Sequence, residues 1–531
     1  MSDRPRHLTH IVRRRPPHPS GSNGPRWPRV LGAGLLIAAA AAAGLVLAPP
    51  APAGSVPTAT ALVSAAAPPA TSVLAATPEP PEPTSTFLAP SPTPTKLAAA
   101  ATTLTYVSST GDTLSAIAAR FGVNPDDIRR PLGFRNLTTL DPGQTLVIPN
   151  VLDAAALGPG QKLVPDSEVI YSAAAAGFDA QAFAREQGGY LAGYTGFADA
   201  QTRAGGDVVL AVARMHSINP RLLLALLEQQ SGWVTNPAPA GAALTRPLGY
   251  ARLSADVLTS QLNWAANELA VGYYGWRAGT LTELAFADGA RLRLHPALNA
   301  GSVAVQYFFA QNYPRPEWEA GLAAFAATYQ RLFGDPYARE LPTLIPGDLT
   351  QPPLALPFQR GTTWYFSGGP HGAWEVGGAQ AALDFAPASI ESGCATSDTW
   401  VTAAAPGLVI RSERNGVVLD LDGDGRETTG WALFYFHIAD QDHVAAGTFV
   451  EQGDRIGHPS CEGGRATGTH VHLARKYNGE WILAAGAIPF DLEGWVAQAG
   501  AGEYLGALTR ESEVVKACTC TAAWTAITAG R

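Results

Sequence analysis

Thr467-Gly468-Thr469-His470-Val471-His472-Leu473 carries two histidines at i and i+2. On an extended strand that spacing points both imidazoles to one face, about 6.6 Å apart along the chain. One ring can then hold a metal while the other reaches the substrate beside it. Working outward, Ala381-Ala382-Leu383-Asp384-Phe385-Ala386 sets a carboxylate inside an apolar run. Such a group is costly to bury unless a cation neutralises it. His371 follows Ser367-Gly368-Gly369-Pro370, read as a loop whose glycines allow close approach, and His437 ends the hydrophobic run Phe434-Tyr435-Phe436. Two histidines and one carboxylate with a fourth position open form the ligand set of a catalytic rather than a structural zinc.

The surrounding text alternates in short β-runs broken by Gly and Pro, among them Trp364-Tyr365-Phe366, Trp400 to Ala404, Leu408 to Arg411, Val417 to Leu421 and Ala432 to His437. This pattern predicts an all-β, antiparallel-sheet catalytic domain over 353–500. Residues 356–495 resemble the lysostaphin and β-lytic family of zinc endopeptidases. Further matches are Gly453-Asp454-Arg455-Ile456-Gly457, Cys461-Glu462-Gly463-Gly464 and Tyr477-Asn478-Gly479. The interval 384 − 371 = 13 follows the β-lytic branch rather than the short His-x-x-x-Asp of lysostaphin-type members. The resemblance implies that His371, Asp384 and His472 bind Zn2+ and that His437 and His470 are catalytic. This domain shows no His-Glu-x-x-His helix, so the two histidines are expected to orient or deprotonate water and stabilise the developing oxyanion. The implied activity is a zinc metalloendopeptidase cutting peptide bonds of bacterial peptidoglycan, in a stem or a cross-bridge. The alternative is a catalytically inactive wall-binding or amidase-regulating protein of the same family, and the five filled positions favour the enzyme.

Two further units precede this domain. Residues 104–150 read as strand, helix, helix, strand: Leu104 to Val107, a helix opened by Thr113, a second helix from Asn124-Pro125-Asp126-Asp127-Ile128, and Thr145 to Pro149. With Gly111-Asp112-Thr113-Leu114, Phe121-Gly122-Val123, Asn136 and Pro142-Gly143-Gln144-Thr145-Leu146-Val147-Ile148-Pro149, the unit resembles the LysM module. That resemblance implies a βααβ fold binding N-acetylglucosamine-containing glycan. Residues 165–345 read as mostly helical, and Leu222 to Leu227 as a buried helix. Asn219-Pro220-Arg221 through Gln230-Ser231-Gly232-Trp233 is similar to lysozyme-like domains, which carry Glu before Ser-Gly. Gln230 stands there instead, and an amide cannot act as the proton donor of glycoside hydrolysis. Glu228 points about 200° away around the helix, so the domain is expected to be degenerate and non-catalytic. Residues 334–356 read as a linker, and 501–531 as a C-terminal tail.

Residues 1–29 carry seven arginines and no apolar run, and 30–48 are uncharged and apolar. Nineteen residues span about 28 Å as a helix, close to a bilayer core. The segment is expected to be a signal peptide or a membrane anchor, with Ala51-Pro52-Ala53 a candidate cleavage site. The protein is then extracytoplasmic, secreted or single-pass with its C-terminus outside. Residues 49–103, rich in Pro, Ala and Thr, read as an extended spacer. A net charge of −8 and a pI near 5.8 argue against nucleic acid as a partner. Export permits disulfides. Cys394 and Cys461 are placed to staple two loops beside the site, whereas Cys518 and Cys520 are too close for an easy mutual bond. Asp420-Leu421-Asp422-Gly423-Asp424-Gly425 resembles the start of an EF-hand loop, but position 12 is Trp431, which favours a plain acidic turn. His216, His443 and His458 read as surface residues.

Overall fold

The computed structural model describes residues 102–530 apart from 132–137, 199, 252–256 and 389–392. The basic segment, the apolar segment 30–48, nearly all of the spacer, and Asn136 lie outside the described residues. Among the described residues no helix is long and apolar enough to cross a membrane.

The first unit pairs β1 (Thr103–Val107) antiparallel with β2 (Thr145–Pro149) around α1 (Leu114–Phe121). Thr113 caps α1 by accepting from the Ala116 amide at 3.1 Å. Tyr106, Ile117, Phe121, Ile128, Leu146 and Ile148 form its core. The expected second helix is a single 3-10 turn, Pro125–Asp127. It stops there because the Arg129 backbone leaves to exchange two hydrogen bonds with Val147.

The second unit contains α2 (Ala180–Gln187), α3 (Tyr190–Gly193), α4 (Gly205–His216), α5 (Pro220–Ser231), α6 (Ala242–Thr245), α7 (Val257–Ala278), α8 (Ala300–Asn312) and α9 (Arg315–Phe333). Two hairpins interrupt them, β3 (Thr195–Ala198) with β4 (Gln201–Ala204) and β5 (Glu283–Ala285) with β6 (Arg291–Arg293). Leu222 to Leu227 are all fully buried, as their unbroken apolarity requires.

The third unit is built on a nine-stranded sheet among the described residues. Its strands are β7 (Thr363–His371), β8 (Ala382–Pro387), β10 (Gly407–Glu413), β11 (Gly416–Asp420), β12 (Trp431–Phe436), β13 (Phe449–Val450), β15 (Val471–Tyr477), β16 (Glu480–Trp481) and β21 (Ala526–Thr528). They run in the order β13-β10-β11-β12-β15-β8-β7-β21, with β16 beside β15, and every pairing is antiparallel. A side pair joins β9 (Val401–Thr402) to β14 (Arg455–Gly457). Strand alternation separates two cores. Leu433, Tyr435, Val471 and Leu473 pack into the core of the third unit itself. Ala432, Phe434, Phe436 and Ala474, on the other face, join the core of the helical unit.

The seam between the units is polar at its centre. Arg277 on α7 pairs with Glu480 at 3.0 Å and with Asp166 at 3.2 Å. Its guanidinium also reaches the Thr110 carbonyl of the first unit. Burial pushes the Glu480 carboxyl up, and Arg277 opposes that shift. His216, expected at the surface, is buried here and bonds to Asn263 at 2.9 Å. Its helix lies against the sheet rather than against solvent: the Trp481 indole donates to the His216 carbonyl at 3.2 Å, and Trp374 lies beside the ring.

Two segments expected to be loose are packed. In the supposed linker, Leu344, Ile345, Leu349 and Leu354 are buried, and Ile345 bonds to Thr110 through both its amide and its carbonyl. The supposed tail is structured. β17 (Asp491–Leu492), β18 (Trp495–Gln498), β19 (Ala507–Arg510) and β20 (Glu513–Lys516) make a four-stranded sheet, and β21 then pairs with β7. Ile527 opposite Trp364 buries itself there, so the last strand covers the β7 edge of the nine-stranded sheet.

Candidate metal centre

Cross-strand register assembles the site. Phe436 on β12, His472 on β15, Asp384 on β8 and Gly368 on β7 stand side by side across four strands. His371, expected in a loop, is the last residue of β7. Two register shifts after Phe366 bring it round beside Asp384. Gly368 is required by space, because a Cβ there would lie 2.9 Å from the Tyr504 ring and 3.0 Å from Asp384 Oδ2.

His371 Nε2 lies 2.9 Å from Asp384 Oδ1, and His472 Nδ1 lies 3.4 Å from the same oxygen. All three residues are buried, and their donor atoms lie within 4.8 Å of one another. His371 Nε2 and Asp384 Oδ1 have no hydrogen-bond partner despite their burial. Buried polar atoms are normally satisfied, so two converging orphans fit a cation between them. His472 Nε2 donates to the Ala373 carbonyl at 3.1 Å, which fixes the tautomer with the Nδ1 lone pair facing the other donors. Burial alone would raise Asp384; the neighbouring His371 and His470 hold it well below the usual carboxylate range. Burial pushes His472 down toward the neutral ligand form.

His437 and His470 stand beside this triad with ring centroids 4.5 Å apart. His437 Nδ1 donates to the Glu462 carbonyl and His470 Nδ1 to the Gly468 carbonyl, both at 2.7 Å. Each bond leaves an Nε2 lone pair, and the His470 one lies 3.8 Å from Asp384 Oδ2. Burial and the adjacent His470 push His437 down to about 3. His437 adopts φ 60°, a strained value for a non-glycine residue just past the end of β12. The Ser460 amide and hydroxyl hold its carbonyl at 2.7 and 3.0 Å.

These five residues lie in one open cleft of about 1730 Å³. One wall is 372–376, another is 463–470, and Met215 and Asn263 of the helical unit close a third side. Cys394–Cys461 ties the loop leading into the 463–470 wall to the adjoining 393–395 segment, two loops that the sequence suggested it could staple. Cys518 and Cys520 are also bonded to each other, against expectation. A tight turn, with the Cys520 amide 2.6 Å from the Cys518 carbonyl, brings their Cα atoms to 5.1 Å, inside disulfide range. Three cleft residues carry no sequence signal: Tyr504, stacked on His371 at 4.1 Å, Glu375 and Arg465. Tyr504 is pushed up to about 12 by desolvation and by Asp384.

Other marked residues lie elsewhere. His443 and His458 are half-buried rather than surface residues, held by Ser412 and by the Thr399 carbonyl. Asp420, Asp422 and Asp424 cluster in the β11–β12 turn, where Asp420 accepts from the Asp422, Gly423 and Gly425 amides. Gln230 bonds Tyr313 and Gln229. Glu228 is spent bracing the Val234 and Thr235 amides and pairing with Arg331.

Comparison with known proteins identifies three matching regions. Residues 109–149 match the family model of the LysM domain, 162–345 that of the LasA N-terminal domain, and 390–483 that of peptidase family M23. The middle match carries no lysozyme assignment. The M23 match includes His437, His470 and His472 and begins after His371 and Asp384. Protease LasA from two strains of Pseudomonas aeruginosa, UCBPP-PA14 and PAO1, is 30% identical over 292 residues, 51% of this chain. The chain spans 66% of the length of these curated relatives. Among solved structures, the M23 metalloprotease pseudoalterin from the deep sea is 23% identical, covering 32% of this chain and 96% of that one, with a TM-score of 0.27. The catalytic domain of lysostaphin from Staphylococcus simulans is 20% identical, covering 23% and 87%, with a TM-score of 0.17. The chain therefore matches the LysM, LasA N-terminal and peptidase family M23 models over these residues and is similar to protease LasA over 292 residues.

Proposed function

We propose that the chain is an extracytoplasmic zinc endopeptidase that cuts peptide bonds in bacterial peptidoglycan, held at the wall by its LysM domain. The observation that carries this reading is the pair of orphaned buried donors, His371 Nε2 and Asp384 Oδ1, meeting His472 Nδ1 in an open cleft. His371, Asp384 and His472 would hold the zinc, which supplies Lewis-acid polarisation of the scissile carbonyl and acidifies water. His437, neutral and with a free Nε2, accepts the proton of the attacking water, and His470 hydrogen-bonds the developing oxyanion or the same water. Their carbonyl partners, Glu462 and Gly468, hold both rings in that tautomer. The inactive wall-binding alternative gains no support from any residue, since all five positions are filled and grouped. Incubation of the full chain with purified peptidoglycan, with and without a chelator, tests the proposal. New amino termini that vanish with the chelator support it. Their absence with zinc present, or release of glycan reducing ends instead, refutes it.

A further inference from the structure

Arg465 is the sole Lys or Arg side chain among the described residues lining the cleft. It is exposed and makes no ion pair or hydrogen bond among the described residues. The backbone beneath it is held at several points. Cys394–Cys461 anchors the loop on one side. The Glu462 carboxylate accepts from Asn415 Nδ2 at 2.7 Å and from the Asp440 amide at 3.0 Å. Gly463 and Gly464 press on the Phe436 ring, and a Cβ on Gly464 would sit 3.0 Å from it and 3.5 Å from His437 Cε1. Arg465 therefore extends from a braced platform one residue from the wall that carries His437.

Its position relative to the metal ligands follows from the backbone and the cleft lining. Gly464, its neighbour in sequence, lies against Phe436 and His437, and the cleft that Arg465 lines also holds His371, Asp384 and His472. A peptide lying along the cleft with an amide at the metal ligands therefore runs past the loop that carries Arg465. An unpaired guanidinium at the edge of an open cleft presents a planar fork matched to a carboxylate. On these grounds, and resting on the peptidase reading above, we infer that Arg465 is a specificity-determining residue that grips a free carboxylate of the substrate peptide beside the scissile bond. The preferred substrate is then an acidic peptide, and amidation of that carboxylate weakens it.

The test uses the zinc-loaded full chain and two synthetic cross-linked wall peptides, identical except that one has its carboxylates amidated. The wild type should prefer the free acid by about tenfold to a hundredfold in kcat/KM, mainly through KM. In Arg465→Gln that ratio should fall toward one, and Arg465→Lys should keep part of it. Equal cleavage of both peptides by the wild type, or an unchanged ratio in Arg465→Gln, overturns the inference and leaves the peptidase reading standing. Cleavage of neither peptide, nor of whole peptidoglycan, overturns the peptidase reading and this inference together.

Discussion

Acidification should loosen the seam between the helical unit and the nine-stranded sheet, and His216 is where the effect can be measured. Its imidazole is 3% exposed, bonded to Asn263 and packed beside Trp374, and burial pushes it from 6.5 down to about 4. The unfolded chain thus binds the proton more readily than the native one between those values. A histidine depressed on folding contributes stability that is fully present above pH 6.5 and is lost as pH falls toward 4. Integrated over that window, the loss reaches about 3 kcal/mol by pH 4. His216→Gln keeps an amide partner for Asn263 and removes the titration. Urea unfolding followed by tryptophan fluorescence at pH 7 and pH 4 gives the comparison, because Trp374 and Trp481 both touch this residue. The wild type should lose about 3 kcal/mol more than the variant across that range. Parallel losses in the two proteins would refute the assignment of His216 as a neutral buried group of the seam.

The remaining predictions concern the site. His472→Ala and Asp384→Ala should each abolish stoichiometric zinc, read by elemental analysis of dialysed protein. His437→Ala and His470→Ala should keep the zinc and lower kcat by about 10²- to 10⁴-fold, the usual worth of a positioned proton-transfer group. Replacing Cys394 and Cys461 together by Ser opens a loop of sequence separation 67 and should lower unfolding stability by about 4 kcal/mol, seen as a lower urea midpoint.

The three candidate metal ligands are legible because each sits in a local pattern: His-Val-His on a strand, an aspartate within an apolar strand, and a histidine after a Gly-Gly-Pro corner. What brings them together is not local. His472 meets Asp384 through strand register across 88 residues, and only the family resemblance carried that information. Tyr504 was invisible because its place against His371 depends on the Tyr504 and Gly506 amides bonding Pro370 and Gly369. The supposed tail was misread for the same reason: Ala526–Thr528 is too short to announce itself and gains its strand from the open edge of β7. His216 was placed at the surface because the sequence of α4 does not reveal that one of its faces meets a sheet more than 150 residues away. The Cys518–Cys520 bond depends on a backbone turn that cysteine spacing alone does not report.

The most direct test of the account is X-ray absorption on the zinc-loaded full chain. Two imidazole nitrogens and one carboxylate oxygen at about 2.0–2.2 Å, lost together in a His371→Ala variant, are the predicted result. A shell containing sulfur, or an all-oxygen shell that survives His371→Ala, would place the metal elsewhere and contradict the central claim.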